Sequence, residues 1–191
     1  ETLKAYIPGN ILAVASKAGI AYMKKDYPSL MELLVDAEMK MFKGMNTPVI
    51  FLQNVIVDLL LGVGMDEIIK HYADYIKKEY NAEPGFITMN LPGMVDLCER
   101  LDIKNPIICS SINKIGFRMS NSIEEYEEYL NSDREFRPIA MQVLAAGALK
   151  PEEAIEYVCR FAKIESILFG ASSRGHIQQT KELIEKYSGN R

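Results

Sequence analysis

The chain has 191 residues, 48% of them apolar and 25% charged, with a formal net charge of −4. That balance excludes a disordered chain, a collagen-like repeat and a disulfide-stapled miniprotein. The pI is near 5.4, and Lys and Arg are interspersed with Glu and Asp. Neutralising several phosphates of a nucleic acid needs clustered cations, so nucleic acid is not an expected partner.

The three cysteines, Cys98, Cys109 and Cys159, are far apart and form no CxxC. They suit apolar packing in a reducing, cytoplasmic compartment better than disulfides or zinc. With only His71 and His176, no His-rich metal site is expected. The longest apolar stretch, residues 55–63, is broken by Asp58 and Gly62. It is about half the length of a membrane span, so no membrane partner is expected. The start, Glu1-Thr2-Leu3-Lys4, has neither an initiator Met nor the basic-then-apolar order of a signal peptide.

Short apolar runs alternate with helical periodicity. Residues 3–7 read as a strand and residues 11–25 as an Ala-rich helix, ended by Pro28. Ser29, with Glu32 three positions on, reads as the capping box of a helix over 30–43 that Gly44 closes. Residues 48–53 are apolar at nearly every position, as in a parallel strand buried on both faces. A short helical turn over 54–62 follows, and Asp66 caps a helix over 67–80. A strand over 86–89 leads to a helix over 91–101, with Pro92 in its first turn. A strand over 106–112 precedes a helix over 123–130 capped by Ser122, and a strand over 138–144 precedes a helix over 152–161 opened by Pro151. The last strand covers 166–170, and Ser172 or Ser173 caps a helix over 175–187.

These are six β–α units of roughly 32 residues each. Strands alternating with helices imply right-handed βαβ units and a parallel sheet. A GxGxxG after the first strand, the mark of a dinucleotide-binding doubly wound sheet, is absent; Gly62-Val63-Gly64 lies in a helical region. The expected fold is therefore α/β, a TIM-type (β/α) barrel in a single domain over 1–191. Eight units would need about 250 residues, so the barrel is expected to lack its first two. A partial barrel leaves sheet edges and apolar surface open, which favours a homo-oligomer.

Polar residues gather where strands end: Gln53-Asn54, Thr88 with Asn90, Ser110-Ser111 with Asn113-Lys114, Gln142, and Ser172-Ser173-Arg174. In a barrel that end carries the site. The same residues also serve as caps and Asx turns in solvated loops. Lys114 is the candidate nucleophile: partial burial would free its amine to attack a carbonyl. Asn90 and Asn113 would orient a hydroxyl or carbonyl, and Arg118 reads as a surface arginine, with an anion-binding role as the alternative. The run Ala145-Ala146-Gly147-Ala148 makes either room for a phosphate or a tight turn. The acids Glu124, Glu125, Glu127 and Glu128 share one helix and read as a solvated face, not as a converging catalytic pair.

The C-terminal stretch, Ala154-Ile155-Glu156-Tyr157-Val158 and then Ile164 through Ser173 with His176, Ile177 and Thr180, resembles the last units of the aldo-keto reductase barrel. The resemblance covers about 40 residues. It implies that Gly170, Ala171, Ser172 and Ser173, joined by Arg174, hold a phosphate of NADP at the start of the last helix, where free N–H groups favour an anion. The family's Asp, Tyr, Lys and His catalytic group has no match in this sequence. The expected function is an NADP-dependent oxidoreductase or another barrel enzyme taking a small-molecule substrate with a phosphate. The alternatives are a Schiff-base lyase or aldolase using Lys114, or a non-catalytic ligand-binding or oligomeric subunit.

Overall fold

The computed structural model describes residues 19 and 23–189. The predicted strand over 3–7, and all of the predicted helix over 11–25 but its end, lie outside the described residues. The first described helix, α1 (Tyr27–Met39), starts three residues before its predicted start. Asp26, not Ser29, is its cap: Asp26 Oδ1 accepts from Ser29 N at 3.2 Å and Oδ2 from Ser29 Oγ at 2.8 Å. Pro28 sits in the first turn, where its missing N–H costs nothing, so it opens this helix. A 3-10 turn, Lys40–Phe42, follows, and Gly44 turns the chain at φ +85°.

Strand β1 (Val49–Leu52) leads into α2 (Asn54–Val63), which Gly64 ends at φ +70° by donating to the Leu60 and Leu61 carbonyls. Helix α3 (Asp66–Tyr80) buries Ile68, Ile69, Tyr72, Ala73 and Ile76, a stripe at helical spacing. The Tyr72 hydroxyl donates to the Ile50 carbonyl at 2.7 Å. Then come β2 (Glu83–Thr88), α4 (Leu91–Arg100), β3 (Ile107–Ser111) and α5 (Ile123–Asn131). Ser122 caps α5 by accepting from Glu125 N at 3.1 Å. Strand β4 (Arg137–Met141), a 3-10 turn at Ala145–Gly147, α6 (Pro151–Cys159), β5 (Ser166–Ile167) and α7 (Arg174–Ser188) complete the chain.

The strands form one five-stranded parallel sheet in the order β1-β2-β3-β4-β5. The fold is α/β. Strand order equals chain order, without the reversal of a doubly wound sheet. Among the described residues the sheet is open, with β1 and β5 at its edges. Contacts divide the chain into two compact units, residues 1–50 with 65–84 and residues 51–64 with 85–191.

In the second unit the parallel register aligns Ile87, Cys109, Ile139 and Ser166 in one row and Thr88, Ser110 and Ala140 in the next. Successive residues point to opposite faces. Thr88, Ser110 and Ala140 are fully buried, and Ile167, which continues their row on β5, is half-buried. The other row, with Phe51, Ile167 and Leu168, lines a cavity of about 230 Å³. Every residue of β3 is buried, which explains its unbroken apolar-to-small run Ile107-Ile108-Cys109-Ser110-Ser111. All three cysteines are free and buried. Burial pushes the Cys98 thiol up to about 12 and the Cys109 thiol up to about 11, so both behave as small apolar residues.

Gly85 shows how closely two strands of this unit meet. A Cβ there would stand 2.5 Å from the Phe51 ring. Gly85→Ala is expected to lower stability by about 1–3 kcal/mol in urea unfolding, because the ring must leave its place. In a Phe51→Ala background the same change is expected to cost less than about 0.5 kcal/mol. Equal costs in both backgrounds would disprove the contact.

Candidate functional site

The carboxyl ends of β2, β3 and β4 carry a buried polar network. Thr88 is fully buried, and its hydroxyl donates to Asp58 Oδ1 at 2.5 Å. The Met89 N–H reaches both Asp58 oxygens at 3.2 Å. Thr88 Oγ1 also accepts from Asn90 N at 2.9 Å, while Ser110 Oγ donates to the Thr88 carbonyl at 2.9 Å. Tyr126, fully buried on α5, donates to the Met89 carbonyl at 2.6 Å and accepts from Leu91 N at 3.1 Å. Burial raises its phenol above the usual tyrosine value. The network leaves the β2-to-α4 turn little freedom.

Two further contacts set the loops after β3 and β4. Asn113 is fully buried and clasps Phe117 twice, its Oδ1 accepting from Phe117 N and its Nδ2 donating to Phe117 O, both at 2.8 Å. Ser111 Oγ donates to Gln142 Oε1 at 2.8 Å. Beyond these clamps the backbone is left-handed at Gly116 (φ +70°), Arg118 (+54°), Gln142 (+54°), Ala145 (+47°), Ala146 (+56°) and Gly147 (+90°). Non-glycine residues there are strained, and surrounding structure must hold them.

Between these loops and the end of β5 lies a cleft of about 760 Å³. Phe117, Leu144, Leu168 and Phe169 supply apolar walls, and Ala146, Gly147 and Gly170 supply small rims. Arg118 is the one charged residue of the lining and Gln142 the one uncharged residue with a hydrogen-bonding side chain. The Arg118 guanidinium stands 5.6 Å from the Phe117 ring centre, and among the described residues it has no ion-pair partner. Size, apolar walls and a few polar groups match a small-molecule site, and the carboxyl end of a parallel sheet is where such sites form.

The predicted site residues fall in three places. Asn113 and Asn90 are structural within this end of the sheet: Asn113 clamps the Phe117 loop, and Asn90 caps α4 by accepting from Gly93 N at 3.0 Å. Lys114 is not part of the cleft lining; its side chain is half exposed and pairs with Glu153 at 2.6 Å. That hydrogen bond holds the Glu153 carboxyl below its usual value. Of the phosphate turn, Gly170 borders the cleft, while Ala171, Ser172, Ser173 and Arg174 are exposed. Ser173 caps α7, accepting from His176 N at 3.2 Å. The tight turn expected at 145–148 is present and lines the cleft.

Sequence reasoning passed over Asp58 and Tyr126. Asp58 stood out only as an interruption of an apolar stretch, and its partner Thr88 lies 30 positions away. Among the described residues no group of three or more His, Cys, Asp or Glu is placed to hold a metal ion, and no helix is long and apolar enough to cross a membrane. Comparison with protein-family models, with curated proteins and with solved structures finds no match to this chain.

Asp58→Ala strips acceptors from a buried hydroxyl and a backbone N–H. It is expected to cost about 1–3 kcal/mol of stability in urea unfolding, with Asp58→Asn, which keeps one acceptor oxygen, costing less. An unchanged urea midpoint in Asp58→Ala would show that the network does not hold the strand ends.

Proposed function

We propose that the chain is a barrel-type enzyme domain that binds an anionic small molecule in the cleft at the carboxyl ends of β4 and β5. The observation that carries this reading is Arg118, the one charged residue of a mostly apolar lining, which has no ion-pair partner among the described residues. A guanidinium with no carboxylate beside it is open to a charge-assisted hydrogen bond with a ligand's oxyanion. The barrel form is supported by the sequential strand order and by the row Ile87, Cys109 and Ile139 facing a shared cavity, as inward residues of a barrel do.

The sequence resemblance points to a phosphate-bearing ligand or NADP. Gly170 at the rim leads directly into the exposed turn before α7. A Cβ at Gly170 would meet nothing within 4 Å, so a ligand group has open space to approach. The first N–H groups of α7, with Arg174 unpaired among the described residues, would hold one phosphate there. NADP, when bound, supplies hydride transfer. The chain's own contribution is to bind and orient through Arg118, Gln142 and the turn over residues 170–174.

A thermal-shift titration with NADPH, NADH, sugar phosphates and short-chain carboxylates tests this reading. A ligand at 100-fold its Kd adds about 2.7 kcal/mol. For a chain of this size that raises Tm by about 5–10 °C, and the shift is expected to shrink in Arg118→Ala. A flat Tm with every anionic ligand would overturn the proposal.

A further inference from the structure

The reading of the cleft as a ligand site leaves the ligand's charge open, and the lining narrows it. We propose that the cleft selects a ligand with one compact oxyanion on an apolar body, a monocarboxylic acid, held by Arg118 with Gln142 as the second donor. This inference rests on the cleft being the ligand site.

Charge balance is the first observation. The lining offers one positive charge, Arg118, and no negative one. A carboxylate carries one negative charge and matches the guanidinium fork with two parallel hydrogen bonds. A phosphate monoester carries about −1.5 to −2 at neutral pH. Its excess charge would sit against Phe117, Leu144, Leu168 and Phe169 with no cation to meet it. Placing that excess charge beside apolar side chains strips some of its water with no ion pair to offset the cost.

Preorganisation is the second. Asn113 holds Phe117 by both backbone polar atoms, and Phe117 in turn stands under the Arg118 guanidinium. Ser111 occupies the Gln142 oxygen, and among the described residues the Gln142 amide nitrogen has no partner. With its oxygen engaged, Gln142 has its amide N–H groups left to donate, and it lines the same cleft as Arg118. Two donor groups, one of them charged, favour an oxyanion over a cation. Asn113 and Ser111 are positioning residues, since each acts through the residue it holds.

Three probes with one apolar body separate the possibilities: hexanoate, hexyl phosphate and hexanol, measured by ligand-observed NMR titration. Hexanoate is expected to bind most tightly and hexanol least. Arg118→Ala is expected to weaken hexanoate about 10- to 100-fold and leave hexanol unchanged. Arg118→Lys keeps the charge without the fork and is expected to fall between. Arg118 is exposed and makes no ion pair among the described residues, so the urea midpoints of both variants should match that of the unmodified chain. Hexyl phosphate binding more tightly than hexanoate, and weakened by Arg118→Ala, would overturn the carboxylate assignment while leaving the cleft as the anion site. Hexanoate binding unaffected by Arg118→Ala would overturn the assignment of Arg118. No binding by any probe would overturn the assignment and the cleft reading together.

Discussion

Satisfying buried polar groups where strands β2, β3 and β4 end is the constraint on which the rest of this structure depends. A parallel strand covered on both faces must still hand its chain to a loop, and its last hydroxyls and N–H groups cannot reach water. Thr88 meets that requirement through Asp58, and Ser110 through the Thr88 carbonyl. Asn113 meets it through both polar atoms of Phe117, and Ser111 through Gln142. Each contact ties one strand end to another strand or to a loop. The loops are therefore determined by the same groups that complete the core.

That coupling is what gives the cleft a shape. The left-handed residues Arg118, Gln142, Ala145 and Ala146 cost free energy that local turn hydrogen bonds and the surrounding packing must offset. Asn113 holds Phe117, the residue before Arg118, and Ser111 holds Gln142 itself. The consequence is a concave apolar surface with one cation and one amide on it. A site built on strand ends and braced by buried side chains keeps its geometry better than one carried by free loops.

Much of the architecture was legible in the chain itself. The strands over 48–53, 86–89, 106–112, 138–144 and 166–170 all correspond to observed strands, because apolar runs between helical periodicities have few other readings. Caps such as Ser122 and Ser173 were legible because capping acts over three residues. Ser29 was misread because Asp26 and Pro28 together make the stronger start, a carboxylate reaching the third helical N–H and a ring already at helical φ. The site was less legible. Asp58 and Tyr126 act on Thr88 and Met89 across 30 and 37 positions, and no local pattern reports such pairs. The small-residue run over 145–148 marked a tight turn, whereas Gln142 is not a glycine and nothing local marked its left-handed backbone. Asn113 was singled out by its position at a strand end, but only its burial and its two hydrogen bonds to Phe117 show what it does.

The central claim is that the loops after β3, β4 and β5 form one anion-accepting cleft. Backbone amide shifts in a ¹⁵N-labelled sample, recorded as a small carboxylate is added, test it directly. The account predicts saturable shifts confined to residues around Phe117–Arg118, Gln142–Gly147 and Leu168–Gly170, three segments far apart in the chain that border the same space. Saturable shifts centred on the exposed turn at residues 171–174 alone, or on the Lys114–Glu153 pair, with the cleft segments unmoved, would contradict it.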